Sequence, residues 1–249
     1  MKKLLLTLLL SLNIISCTTS KCSREMTKFN LWELSTETIL PLKGFVKLDS
    51  MVEIRTSEAE SELIQFSSAS GFFIAENKIV TAAHFCDALP IKMQMMKRLI
   101  FFERILFQIQ TLGGYTMEAF VSKIDKENDL CMLMVLGPTN EIDKQIIKIS
   151  EHKPYHGERV YNIAAPLGIF APGMLPVFEG FYSGTCLYPE ENKKSNVDMY
   201  SIPIRGGSSG SPILNNRGEL IGVVIAGVKG FENLGFSPSY DVIKQFLEP

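Results

Sequence analysis

Three short stretches of the sequence carry the residue types needed for nucleophilic acyl transfer. Thr81-Ala82-Ala83-His84 ends a predicted strand, Asn128-Asp129-Leu130 begins one, and Gly207-Ser208-Ser209-Gly210-Ser211-Pro212 is a glycine-rich turn. A serine hydroxyl is a poor nucleophile at neutral pH and needs a general base within hydrogen-bond reach. An imidazole, which titrates near neutrality, can take the proton and return it to a leaving amine. His84 fits that role. A carboxylate that accepts the other ring N–H fixes the tautomer and stabilises the imidazolium, and Asp129 stands where it can do so, at the mouth of an apolar strand. A tight turn through Gly207 and Gly210 lets the N–H groups of Gly207 and Ser209 converge on a developing negative charge, where a Cβ would crowd the approach. Asp125 competes with Asp129, but the core strand directly follows Asp129. Ser208 and Ser211 compete with Ser209, which alone occupies the frame Gly-x-Ser-Gly. His152 and His156 lie in a polar loop beside Lys153, Pro154 and Gly157 and receive no role.

Holding three distant stretches together requires a packed scaffold, and the composition supplies one. Of 249 residues 46% are hydrophobic and 21% charged, which excludes a disordered chain and allows a sizeable core. Lys and Arg number 25 against 27 Asp and Glu, so there is no basic surplus to attract nucleic acid, and no nucleic-acid partner is expected. Without Cys-x-x-Cys or His-rich spacing, no metal or other cofactor is expected either. Short apolar or β-branched runs predict strands at residues 51–55, 63–67, 71–75, 79–81, 130–136, 159–164, 178–185, 199–204, 220–226 and 233–237. Residues 106–110 alternate with period two, Gly113-Gly114 turns the chain, and 117–124 returns as a hairpin partner. One amphipathic stretch, 240–247, predicts a helix. The fold class is therefore all-β with a C-terminal helix. Residues 93–102, rich in Met and Phe, fit a helix, a lid or a membrane-touching patch, with a partly buried connection as the plain alternative.

The first residues address the chain rather than fold it. Lys2 and Lys3 precede an apolar run over 4–15 that is too short to span a bilayer stably, which is the layout of an export signal. Ile14-Ile15-Ser16-Cys17 resembles the lipobox of bacterial lipoprotein signals, in which cleavage precedes the cysteine and the thiol carries lipid. An ordinary signal peptide with Cys17 merely passing by remains the alternative. The expectation is a signal over 1–16, a polar tether over 17–40 and a folded domain over 41–249, exported and held by acylated Cys17 to a bacterial lipid bilayer, facing the periplasm. Apart from Cys17, the cysteines are Cys22, Cys86, Cys131 and Cys186, an even number with three possible pairings.

In order and spacing these motifs resemble the trypsin-like serine proteases, and within them the HtrA/Deg-type branch of export-compartment enzymes. The resemblance extends to Ser70-Gly71-Phe72-Phe73-Ile74, to Gly157-Glu158-Arg159-Val160 leading to Ala165-Pro166-Leu167-Gly168, to Leu214-Asn215 with Gly218-Glu219-Leu220-Ile221-Gly222-Val223, and to Gly235-Phe236-Ser237-Pro238-Ser239. It covers roughly residues 45–249 and implies two six-stranded β-barrels with a triad in the cleft between them. It also implies a serine endopeptidase that cleaves a protein or peptide substrate through an acyl-enzyme. Carried over, His84 is the base, Asp129 its orienter, Ser209 the nucleophile, and Gly207 and Ser209 the oxyanion donors.

The sequence departs from that pattern in three places. Ser208 replaces the usual Asn or Asp, and Ser211 replaces the usual Gly. These changes leave open a second reading, a catalytically inactive protease-fold binding protein anchored by lipid. Such proteases usually carry a PDZ domain next, whereas this sequence ends at Pro249, so a protease domain alone is expected. By the same resemblance Pro203 forms the base of the primary pocket, with Ile204, Val224, Ile225 and Ala226 around it. No carboxylate there awaits Lys or Arg, so a small or medium apolar side chain is expected before the scissile bond, while Arg205 leaves room for an acidic one. Cys86 and Cys131 each lie two residues beyond a triad candidate, and either a bridge between them or two buried thiols fits the sequence.

Overall fold

Residues 79–82 and 130–133 of the first half are buried on both faces of their strands, and that decides how the molecule is assembled. The computed structural model describes residues 40–55, 61–97, 102–187 and 196–248. The signal, Cys17, Cys22 and most of the tether lie outside the described residues. Strands β1 (Phe45–Arg55), β2 (Ser61–Ala75), β3 (Lys78–Ala82), β4 (Phe102–Thr111), β5 (Thr116–Asp125) and β6 (Leu130–Val135) close into a barrel of order β1-β2-β3-β6-β5-β4. Alternate residues of β6 face opposite ways. Cys131, Leu133 and Val135 join Val46, Leu48, Phe73 and Ile79 inside the barrel. Leu130 and Met132 point outward with Phe45, Phe72 and Val80.

That outward set is the seam of the molecule. It packs against Ile163, Leu214, Leu220 and Val223 of the second half and against Ile243 and Phe246 of the last helix. Each such side chain contributes about 1.5–3 kcal/mol when buried, so the two halves are fixed against each other by the strands that carry the candidate site. The unbroken apolar run of β6 therefore reflects two cores sharing one strand.

The second half contains β7 (Arg159–Ile163), β8 (Val177–Leu187), β9 (Asn196–Tyr200), β10 (Pro212–Leu214), β11 (Leu220–Val223), β12 (Ala226–Val228) and β13 (Phe231–Pro238), in the order β11-β10-β7-β8-β9-β13-β12. Its end strands β11 and β12 are separated only by Val224 and Ile225. One segment, residues 220–228, thus supplies both edge strands of this seven-stranded sheet, where the resemblance implied a second six-stranded barrel. The core of the sheet holds Val160, Tyr182, Tyr200, Ile202, Ile213, Ile221 and Val224.

Three local expectations are refined. The strand predicted at 199–204 runs earlier, as β9, because Pro203 has no N–H to give a ladder. Ile202 is fully buried nonetheless, where the chain crosses over Gly180; a Cβ there would fall 2.1 Å from the Ser201 carbonyl oxygen. The two strands predicted at 63–67 and 71–75 are one, β2, paired along its length with β1. Within 93–102, residues up to Lys97 belong to a helix, Ala88–Lys97, whose Ile91 and Met95 pack on Val52; residues 98–101 lie outside the described residues.

The C-terminal helix, Tyr240–Leu247, clamps both halves. Its Tyr240 N–H donates to the Asp198 carboxylate of β9 (2.9 Å), and Lys123 of β5 donates to the Phe246 carbonyl (2.8 Å). Burial pushes the Asp198 carboxyl up, while hydrogen bonds from Thr185, the Tyr240 N–H and Tyr182 pull it back. No described helix is long and apolar enough to cross a membrane.

Candidate active site

Strand β3 is buried through Ala82, and the chain can leave the core only by turning outward. It does so in the single helical turn α1 (Ala83–Cys86), which leaves the His84 side chain 50% exposed at the surface. On the neighbouring strand, the turn before β6 is organised by Asp125, which accepts from the Asn128 N–H (3.1 Å) and from the Asn128 amide (2.8 Å). This commitment removes Asp125 as a partner for the histidine. Asp129 takes the place instead. Its Oδ1 accepts the His84 backbone N–H at 2.8 Å, its Oδ2 lies 2.8 Å from His84 Nδ1, and its carbonyl accepts the Ala83 N–H at 3.1 Å. An ionised carboxylate can only accept, so Nδ1 carries the hydrogen and Nε2 keeps its lone pair for another donor.

The serine stretch forms two consecutive turns. Ser208 N–H donates to Arg205 O and Ser211 N–H to Ser208 O, each at 3.0 Å. The third residue of each is a glycine with positive φ, Gly207 at 92° and Gly210 at 81°, as a type II turn requires. Ser208 and Ser211 are fully buried, and Ser211 accepts from Asn162 at 2.8 Å; Ser209 alone of the three is not buried. Among the described residues no acceptor takes the N–H of Gly207 or of Ser209.

Packing across the seam brings the two stretches together. The Ser209 carbonyl accepts the Ser70 N–H (2.9 Å), and Ser70 Oγ donates to the Gly207 carbonyl (2.8 Å). A Cβ on Gly210 would lie 2.2 Å from Thr81 Oγ1 and 2.3 Å from the Ser70 carbonyl, so the serine turn is pressed against the strand end that delivers His84. Gly210→Ala therefore combines left-handed strain with a backbone clash and should cost on the order of 4 kcal/mol. Gly206→Ala, which meets open space, should cost under about 1 kcal/mol. Urea unfolding of the two variants checks the difference. Ser70 and Thr81, both fully buried, thus support the site; in the sequence only Thr81 stands out, as a hydroxyl beside the apolar residues of Lys78–Ala82.

The predicted pocket residues divide. Val224 and Ile225 bury their side chains in the sheet core and beside Val197 and Phe236, respectively. The primary-pocket role expected of both rests on the resemblance alone. Val224 offers its carbonyl, which accepts the Gly210 N–H at 2.7 Å. Pro203, Ile204 and Ala226 stay half-buried. Ile204 lies over Gly227 and Gly235, its side-chain carbons 3.0 Å from a Cβ built at the first and 2.9 Å from one at the second. Arg205 is ion-paired with Glu232.

Two cavities adjoin His84. One, of about 170 Å³, is lined by Ala83, Asp87, Lys126 and Asp129; the other, of about 150 Å³, includes Phe66, Ala69, Phe85, Pro90 and Ile91. Hydrogen bonds from Lys126 and the Leu89 N–H hold the Asp87 carboxyl below its usual range. Cys86 and Cys131 form a disulfide; among the described residues Cys186 has no disulfide partner.

A family model described as the trypsin-like peptidase domain matches residues 69–223, and the chain belongs to that family. Its relatives carry the HtrA name. Mouse "Serine protease HTRA4" is 27% identical over 235 residues, covering 92% of this chain and 43% of the mouse protein. Drosophila virilis "Serine protease HTRA2, mitochondrial" is 27% identical over 191 residues, covering 74% of this chain and 40% of the fly protein. The chain thus spans about two fifths of these relatives' length. The crystal structure of the serine endoprotease from Yersinia pestis superposes with a TM-score of 0.58 at 19% identity, covering 82% of this chain and 61% of that one, and shares the fold.

Proposed function

We propose that the chain is a serine endopeptidase in which Ser209 is the nucleophile, His84 the general base and Asp129 its orienter. The observation that carries this reading is the two-point grip of Asp129 on His84, 2.8 Å to the backbone N–H and 2.8 Å to Nδ1. With Nδ1 committed, Nε2 takes the Ser209 hydroxyl proton as Oγ bonds to the substrate carbonyl carbon. The carbonyl oxygen becomes an oxyanion that accepts from the Gly207 and Ser209 N–H groups. Collapse breaks the C–N bond, the imidazolium returns its proton to the leaving amine, and an ester on Ser209 remains for water to hydrolyse by the same path.

The chain is exported and anchored to a bacterial membrane through lipid on Cys17, facing the periplasm. The basic and apolar start of the sequence and the lipobox-like Ile14-Ile15-Ser16-Cys17 support this. The Cys86–Cys131 disulfide suits an oxidising compartment.

Half-buried Pro203, Ile204 and Ala226 carry no charge, which supports a short apolar side chain before the scissile bond. Fluorogenic peptides differing only at that residue test the reading. Val and Ala should give kcat/KM values at least about 10-fold above Lys or Phe, since apolar pockets discriminate by roughly 1–3 kcal/mol. A preference for Lys would overturn the pocket assignment, and one for Glu would mean that Arg205 leaves Glu232 for the substrate.

A further inference from the structure

Asp129 adopts a left-handed backbone, φ 57°, that residues other than glycine rarely hold. Such a conformation persists only where the surroundings over-determine it. On one side of His84 the ties are visible: the Ala83 N–H donates to the Asp129 carbonyl, and β3 pairs with β6 through Ala82↔Leu130 and Thr81↔Cys131. Beyond His84 the chain leaves β3 as the four-residue turn α1, which has no side-chain cap at its start. Phe85 fastens that turn to the barrel interior, with its ring 5.5 Å from that of Phe107, but Phe107 belongs to β4 and not to the strand behind Asp129. The far end of α1 is tied to β6 itself by the bond between Cys86 and Cys131, residues 45 apart in sequence, and to the turn before β6 by the 2.9 Å ion pair of Lys126 with Asp87.

The arrangement is symmetrical about the pair. His84 stands two residues before Cys86, and Asp129 two residues before Cys131. Both sulfur-bearing residues are buried in the core of the first barrel, 4% and 0% exposed, so the crossbar is anchored in packed structure. The covalent link therefore completes a ring: Asp129 to β6, β6 to Cys131, Cys131 to Cys86, Cys86 through α1 to His84, and His84 back to Asp129 by its two hydrogen bonds.

We propose that the Cys86–Cys131 bridge is a positioning device for the base and its carboxylate, holding α1 against the start of β6 so that Nδ1 and Oδ2 stay in register. The proposal rests on the reading of His84 and Asp129 as base and orienter. The bridge touches no substrate and acts only through them. A misplacement of about 1 Å in such a pair lowers turnover by roughly 10²-fold without weakening substrate binding.

The test uses the full chain in two forms lacking the bridge, Cys86→Ala/Cys131→Ala and the better-packed Cys86→Val/Cys131→Ala. The sequence has 3 histidines, so the Nδ1 proton of His84 can be assigned by nitrogen-filtered proton NMR. In the parent protein that proton should be resolved. In both variants it should exchange with water at least about 10-fold faster, with the methyl resonances of Leu133 and Val135 in place and kcat about 10- to 100-fold lower at unchanged KM. Equal protection of the proton and equal kcat in either folded variant would overturn the proposal, as would loss of the barrel methyl resonances in both, which would make the bridge a general stabiliser. A parent chain that holds the proton but turns over no peptide would defeat the catalytic reading of Ser209, and the exchange rates would still decide the role of the bridge.

Discussion

Ser209→Ala lowers peptide turnover by about 10⁶-fold and leaves the fold intact, because the change removes only the atom that attacks. The backbone of Ser209 keeps its work: its carbonyl still accepts the Ser70 N–H, and the turns through Gly207 and Gly210 do not use its hydroxyl. The residual rate should stay roughly 10³–10⁴-fold above that in water, since the Gly207 and residue 209 N–H groups still meet the oxyanion. Steady-state kinetics beside thermal unfolding checks both halves: kcat collapses and the unfolding midpoint does not move. Loss of only a few-fold in kcat would place the nucleophile elsewhere.

Asp129→Asn isolates the tautomer argument, and the expected loss in kcat is about 10⁴-fold. Asn accepts a left-handed backbone as readily as Asp, so φ 57° is no obstacle. Its side chain, however, has a single acceptor oxygen, and two donors face it, the His84 backbone N–H and Nδ1–H. If the oxygen serves the backbone N–H, the amide nitrogen faces Nδ1 and donates to it, which moves the ring hydrogen to Nε2. Nε2 can then no longer accept from Ser209. Because the carboxylate touches no substrate, KM should be little changed, and measuring kcat and KM separately checks that the loss falls on the chemical step. A variant as active as the parent would mean that His84 does not act as the base.

The candidate chemistry was legible in the sequence because its residue types are constrained by the reaction. A serine in a glycine turn, a histidine at a strand end and an aspartate at a strand start carry their meaning in type and order. The strands were legible where one or both faces are buried, as in the run 130–136. The seam was not. Alternation along β6 tells that Leu130 and Leu133 face opposite ways, but not that a second sheet and the C-terminal helix cover Leu130. The same limit hides the burial of the Val224 and Ile225 side chains, which depends on the sheet around them. Nothing in the sequence marks the packing of Gly227 and Gly235 under Ile204, a neighbour that only the fold supplies. The choice between a bridge and two thiols stayed open at Cys86 and Cys131 because their proximity depends on the pairing Thr81↔Cys131, a long-range register.

The central claim is that Ser209 is an activated nucleophile. The most direct measurement is reaction of the full chain with a fluorophosphonate, followed by peptide mapping of the adduct mass. The account predicts one adduct, on Ser209, that is absent from Ser209→Ala and forms far more slowly in His84→Ala. An unmodified Ser209 in a chain whose circular dichroism reports an intact β fold would contradict it, and would leave a protease-fold protein that binds without cutting.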